Sequence, residues 1–124
     1  QIINTQNAEC TINADRKLIK EAIRILIDNA IKYTPAGGTI KLNLCREQNS
    51  AVISIEDTGS GIAAADLPHI FERFYRADKS RTKQSGGTGL GLPIAKWIID
   101  RHNGKIDVWS EVGVGTAVRV KLPL

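Results

Sequence analysis

Several short clusters in this sequence combine residue types that could do chemistry. Asp57-Thr58-Gly59-Ser60-Gly61 follows directly on an apolar run. A carboxylate at a strand end accepts hydrogen bonds, and glycines let backbone approach a flat ligand closely, so Asp57 suits an adenine amino group. A plain Asp-x-Gly turn has the same composition. Asn29 and Lys32 lie three residues apart, near one another on a helix surface, and can address one ligand. An amide oxygen suits a hard cation such as Mg²⁺, and an ammonium suits phosphate; a solvated helix end carries the same two types. Gly86-Gly87-Thr88-Gly89-Leu90-Gly91-Leu92 would present free backbone N–H groups to an anion at the start of a helix. It is no Walker A loop, because Leu92 stands where that motif needs lysine. Phe71-Glu72-Arg73-Phe74-Tyr75-Arg76 joins aromatic and charged residues, which a small satellite core would also explain. Gly113-x-Gly115-Thr116 reads as a hairpin turn with glycine at positive φ.

These clusters need elements to hold them. Residues 9 to 13 alternate and read as a short strand. From Asp15 to about Tyr33, Ile19, Ala22, Ile23, Leu26, Ala30 and Tyr33 recur on one helical face, placing Asn29 on its flank. Thr34-Pro35-Ala36-Gly37-Gly38 stops that helix. Strands are expected over 39 to 46 and 51 to 56, joined through Gln48-Asn49-Ser50. A second helix should run from Leu90 to His102 and end at Asn103-Gly104, with strands over 105 to 110 and 116 to 122 behind it. Residues 57 to 89 carry little periodicity and much glycine, as functional or mobile segments do. The order strand, helix, hairpin, irregular segment, helix, hairpin implies an α+β two-layer sandwich with helices on one face of a mixed sheet.

Composition narrows the field. The 124 residues make one domain, and 42% apolar content is ordinary for a globular chain. Cys10 and Cys45 form no C-x-x-C pair and no zinc-ligand spacing with the two histidines, and they suit a reducing compartment. No apolar run approaches the ~18 residues of a membrane span, so direct membrane contact is not expected. The net charge of +4 collects partly in Arg73, Arg76, Lys79, Arg81 and Lys83. Such a basic stretch can serve a phosphorylated small ligand, and the scarcity of interleaved aromatics argues against nucleic acid, but by composition alone it reads as a solvated loop. Gly59-x-Gly61-x-x-Ala64 matches a dinucleotide fingerprint, but Pro68 interrupts the helix that fingerprint needs.

Taken in order, Asn29, Asp57-x-Gly59-x-Gly61, Phe71 to Phe74, Gly87-x-Gly89-x-Gly91 and Gly113-x-Gly115 resemble the asparagine, glycine and phenylalanine boxes of sensor histidine kinases. The resemblance covers residues 15 to 124, and Asp28 to Pro35 and Ile70 to Arg76 look most like that family. It implies the Bergerat ATP-binding fold, a mixed five-stranded sheet with about three helices on one face and a mobile lid over roughly residues 77 to 87. By that resemblance Asp57 holds the adenine amino group, Tyr33 packs beside the base, and Gly59, Gly61, Ile62 and Thr116 belong to the nucleotide site. Asn29 holds Mg²⁺ against the phosphates and, with Lys32, forms the catalytic pair. Lys32 and one or more of Arg73, Arg76 and Arg81 contact the phosphates. Gly87, Thr88, Gly89, Leu90 and Gly91 close over them.

The implied partners are ATP, Mg²⁺, a histidine-bearing dimerisation domain and a downstream response regulator, around a cytoplasmic, monomeric domain whose parent protein can be membrane-anchored. That dimerisation domain is expected to dock near Phe74 and Leu90 to Leu92. His69 and His102 lack the His-Glu/Asp-x-x-x-Pro context of the family's phosphoacceptor, so the chain should bind ATP without phosphorylating itself. One departure stands out. Ile25, four residues before Asn29, occupies a place that is often polar in the family and is a glutamate base in gyrase-like ATPases. A water-activating base is therefore missing there, and Glu21 is left as an exposed helix residue. The competing readings are a Bergerat-fold ATPase or serine kinase, and a non-catalytic nucleotide-binding regulatory module.

Overall fold

The computed structural model describes residues 2–6, 12, 14–72 and 91–124. Helix α1 (Arg16–Tyr33) starts where the sequence places it. The Asp15 side chain accepts a hydrogen bond from the Leu18 N–H at 3.1 Å, satisfying one of the unpaired donors of the first turn. Thr34, in extended conformation before Pro35, ends the helix. Its buried face is Ala22, Leu26 and Ala30, one turn apart along a single stripe. Burying Leu26 contributes about 2 kcal/mol.

Five strands form one sheet in the order β1-β2-β3-β5-β4. These are β1 (Ile2–Gln6), β2 (Ile40–Glu47), β3 (Ser50–Asp57), β4 (Lys105–Glu111) and β5 (Gly115–Pro123). β1 runs parallel to β2, and the other pairs are antiparallel, so the sheet is mixed. Strand alternation puts Ile40, Ile55, Val120 and Leu122 on one face. Helix α2 (Gly91–Arg101) buries Ala95, Ile98 and Ile99, and together with α1 it covers that face. The opposite face carries Lys41, Glu56, Ala117 and Trp109 in one register row.

The expected α+β sandwich with its five-stranded mixed sheet is present. Two α-helices and a one-turn 3₁₀ helix (Leu67–His69) stand among the described residues where about three helices were expected. The first strand is Ile2–Gln6; the stretch read as that strand, 9 to 13, falls outside the described residues apart from Ile12, which is in no strand. No helix among the described residues is long and apolar enough to cross a membrane.

The helices lie antiparallel. The Asp15 N–H donates to His102 Nε2 at 3.0 Å, joining the start of α1 to the end of α2. At the other end of α2, the Ile25 γ2-methyl lies 3.3 Å from where a Cβ on Gly91 would stand. The eleven residues of α2 therefore run beside only the first part of the eighteen-residue α1. The last turns of α1 project beyond the start of α2, and they carry Asn29, Lys32 and Tyr33.

Candidate functional site

The projecting end of α1 rests on the loop that follows β3. Ser60 N–H donates to the Tyr33 carbonyl at 3.3 Å, and Gly59 sits so close that an added Cβ would overlap that same oxygen. Gly61, at φ 78°, packs equally closely against the Glu111 carbonyl, where β4 ends. Gly113 N–H donates to the Ser60 carbonyl at 3.0 Å, tying the β4–β5 turn to the same loop. The glycines of Asp57-x-Gly59-x-Gly61 are thus already required by contacts within the protein. Gly113 and Gly115 also separate into two roles. Gly113 (φ 82°) meets nothing nearby and serves the turn, as expected. Gly115 (φ 147°) presses on the Asp57 carbonyl, so the sequence reading of it as a mere turn glycine was incomplete.

Asp57 ends β3 between Ile40 and Thr116 in register. Its Oδ1 accepts from Gly59 N–H at 2.8 Å and from Thr116 N–H at 3.3 Å. These bonds orient the carboxylate, and Oδ2 has no partner among the described residues. Thr116 and Ile62 join the same assembly through Ser110. The Ser110 hydroxyl accepts from Ile62 N–H at 2.7 Å, donates to the Gly115 carbonyl at 2.9 Å and lies 2.8 Å from Thr116 Oγ1. Sequence reasoning missed Ser110, a lone serine in a strand with no spacing signal. It also gave Thr58 no role, yet that hydroxyl accepts from Thr39 N–H at 2.9 Å and fixes the start of β2 against the loop.

Half-buried Asn29 and exposed Lys32 make no hydrogen bond or ion pair among the described residues. Tyr33 is 50% exposed, and its backbone carbonyl is the atom that Gly59 approaches. An amide oxygen, an ammonium and a carboxylate oxygen without protein partners therefore share one end of the domain. That donor set fits an adenine nucleotide with a metal held jointly by phosphate, water and Asn29, since Mg²⁺ keeps most of its waters and takes few protein ligands. The described residues contain no cluster of three His, Cys, Asp or Glu side chains that would bind a metal unaided.

Glu21 does not replace the base missing at position 25. It is held by Arg24, which also reaches Asp28 at 2.9 Å, and the Glu21 hydrogen bond raises the guanidinium pKa further above its usual value. Ile25 packs against the core instead of carrying a polar group. His102 donates from Nδ1 to the Ile98 carbonyl at 2.8 Å while Nε2 accepts from Asp15, a structural role. His69 pairs with Glu72 on the surface. Arg73, Phe74, Arg76, Arg81, Gly87, Thr88, Gly89 and Leu90, with the expected lid, lie outside the described residues; Gly91 opens α2. A depression lined by Lys41, Glu56, Trp109 and Val114 on the opposite face of the sheet reaches the site at Asp57, Thr58, Gly115 and Thr116, while Asn29 and Lys32 do not line it.

Residues 14–124 match the family of histidine kinase-, DNA gyrase B-, and HSP90-like ATPases. The chain is 42% identical over 120 residues to the sensor histidine kinase YkoH of Bacillus subtilis, covering 97% of this chain and 26% of YkoH. It thus spans about a quarter of that relative's length. The mycobacterial sensor histidine kinase MprB superposes with a TM-score of 0.85 at 30% identity, covering 99% of this chain and 82% of that one. Full-length ShkA, solved in complex with AMPPNP, superposes with a TM-score of 0.84 at 27% identity, covering 99% of this chain and 25% of ShkA.

Proposed function

Because the chain belongs to the histidine kinase-, DNA gyrase B-, and HSP90-like ATPase family, and within it to the catalytic domains of sensor histidine kinases, we propose that it binds Mg-ATP and donates the γ-phosphoryl group to a histidine on a separate dimerisation domain. The observation carrying this reading is the end of the domain where Asn29, Lys32 and Asp57 Oδ2 are left without protein partners. Asp57 Oδ2 accepts from the adenine amino group while Oδ1 stays committed to Gly59 and Thr116. Tyr33 lies along the base, with Gly59, Gly61, Ile62 and Thr116 shaping the floor. Lys32, with one or more of Arg73, Arg76 and Arg81, neutralises phosphate charge, and the stretch from Gly87 through Thr88, Gly89 and Leu90 to Gly91 encloses the phosphates. Asn29 would hold Mg²⁺, which when bound would supply charge neutralisation to the phosphates.

In the transfer, an imidazole nitrogen of the partner forms a bond to the γ-phosphorus. The bond to the bridging oxygen breaks, its electron pair leaves with ADP, and the second imidazole nitrogen gives up its proton to solvent. The chain's own share is positioning and electrostatics, the main levers in phosphoryl transfer. The phosphohistidine then serves a response regulator. Hydrolysis to water fits this site less well, because Ile25 is apolar and Glu21 is engaged by Arg24.

Calorimetric titration of the chain with a non-hydrolysable ATP analogue, with and without Mg²⁺, tests the reading. One saturable site is expected, and Asn29→Ala should lose on the order of tenfold in affinity with Mg²⁺ and little without it. Binding without phosphotransfer to any supplied histidine domain would instead identify a regulatory nucleotide-binding module. No binding by a folded sample would overturn the proposal.

A further inference from the structure

Gly91 and Ile25 meet where the two helices part, just before the site begins. The first residue of α2 is helical and takes no positive φ, so backbone conformation does not require glycine there. Its surroundings do. Among the described residues, a Cβ on Gly91 would meet one atom within 4 Å, the γ2-methyl of Ile25, at 3.3 Å. That is tighter than most side-chain contacts, so the Ile25 methyl or the start of α2 would have to give by a few tenths of an ångström. Ile25 is partly buried and packs against the hydrophobic core that α1 and α2 share with the sheet.

Asn29 stands one turn further along the same flank of α1. The distance between Asn29 and the opening N–H groups of α2 is therefore set by how closely Gly91 seats on Ile25. Pro93 lacks an N–H, which leaves Gly91, Leu92 and Ile94 as donors in that first turn.

We propose that Ile25 is a positioning residue for the phosphate end of the site, an abutment matched in size to Gly91 that sets the spacing between Asn29 and the start of α2. The inference rests on the nucleotide-binding reading above and adds to it a role for the residue standing where that reading finds no base. Ile25 acts through Gly91 and touches no ligand. The pair behaves as a size complement: a methyl added at 91 is tolerated only when the γ2-methyl at 25 is withdrawn.

The test is titration of the chain and its Gly91→Ala and Ile25→Leu/Gly91→Ala variants with the Mg-bound ATP analogue and with AMP, alongside thermal unfolding. Leucine nearly keeps the volume of isoleucine but has no γ2-methyl. Gly91→Ala should weaken the ATP analogue on the order of tenfold, the size of an ordinary coupling between contacting residues, while AMP affinity and Tm stay near the parent values. The double variant should recover most of that loss. Unchanged ATP-analogue affinity in Gly91→Ala would overturn the proposal. So would a loss that Ile25→Leu does not relieve, which would mean direct collision with the ligand. Parallel losses in AMP affinity and Tm would mean general damage and overturn it equally. A parent chain that binds no nucleotide would remove the functional reading and this proposal together, whereas parent binding with an insensitive Gly91→Ala removes this proposal alone.

Discussion

The two ends of the paired helices treat their polar groups in opposite ways. At the end marked by Asp15 and His102, donors and acceptors are matched. The imidazole bridges the Ile98 carbonyl and the Asp15 N–H, and Asn103, at φ 60°, turns the chain so that Gly104 N–H reaches the Ile99 carbonyl at 3.0 Å. At the Asn29 end the backbone is packed just as closely, glycine against carbonyl. Asn29, Lys32 and Asp57 Oδ2 nevertheless have no partner among the described residues. The contrast separates rigidity from satisfaction. A binding end needs the first and must forgo the second, so its unpaired groups stay aimed without being spent on the protein itself.

The sharpest way to break this contrast is at Gly115. Substitution by alanine would overlap the Asp57 carbonyl at an unfavourable φ and should cost about 3–5 kcal/mol in denaturant unfolding. A cost near zero would mean that the Asn29 end is held loosely. Asp57→Asn retains an oxygen for Gly59 and Thr116 but loses the charge, so stability should hold while nucleotide affinity falls roughly tenfold to a hundredfold. Unchanged affinity would remove the adenine role. At the matched end the pattern should invert. His102→Phe forfeits both imidazole bonds and should cost about 1–2 kcal/mol of stability, leaving nucleotide affinity intact; an affinity change would show that the two ends are coupled. The smallest effect is expected at Thr34, whose buried hydroxyl has no partner among the described residues. Thr34→Val should be neutral or stabilising by up to ~1 kcal/mol, and a clear loss on thermal unfolding would show that the hydroxyl is bonded in solution.

Much of this was legible in the sequence because it rests on periodicity and on punctuation. The stripe of Ala22, Leu26 and Ala30, the stop at Thr34-Pro35, both hairpins and the carboxylate at the end of β3 all announce themselves locally. Features that depend on distant partners did not. β1 contains Asn4, Thr5 and Gln6 and is a parallel edge strand, so it shows no alternation, and its existence follows from pairing with β2. Ser110 is an ordinary strand residue until the fold brings Ile62 to it across forty-eight positions. Gly115 looks like half of a turn motif, and only the neighbouring strand shows that space is also its reason. The unpaired state of Asn29 cannot be read from its type, because an asparagine at a helix end is as often bonded as free.

The hydrogen bond between Asp15 and His102 spans eighty-seven positions and encloses nearly every residue of the site in one loop. Such a contact cannot form early, because its closure entropy must be met before neighbouring contacts reward it. The hairpins β2–β3 and β4–β5 close short loops and can assemble first. The helices then dock across them late, so folding should be governed by that long-range step, with a rate nearer to mixed α/β domains than to helical bundles. Substitutions at His102 should accordingly speed unfolding more than they slow folding.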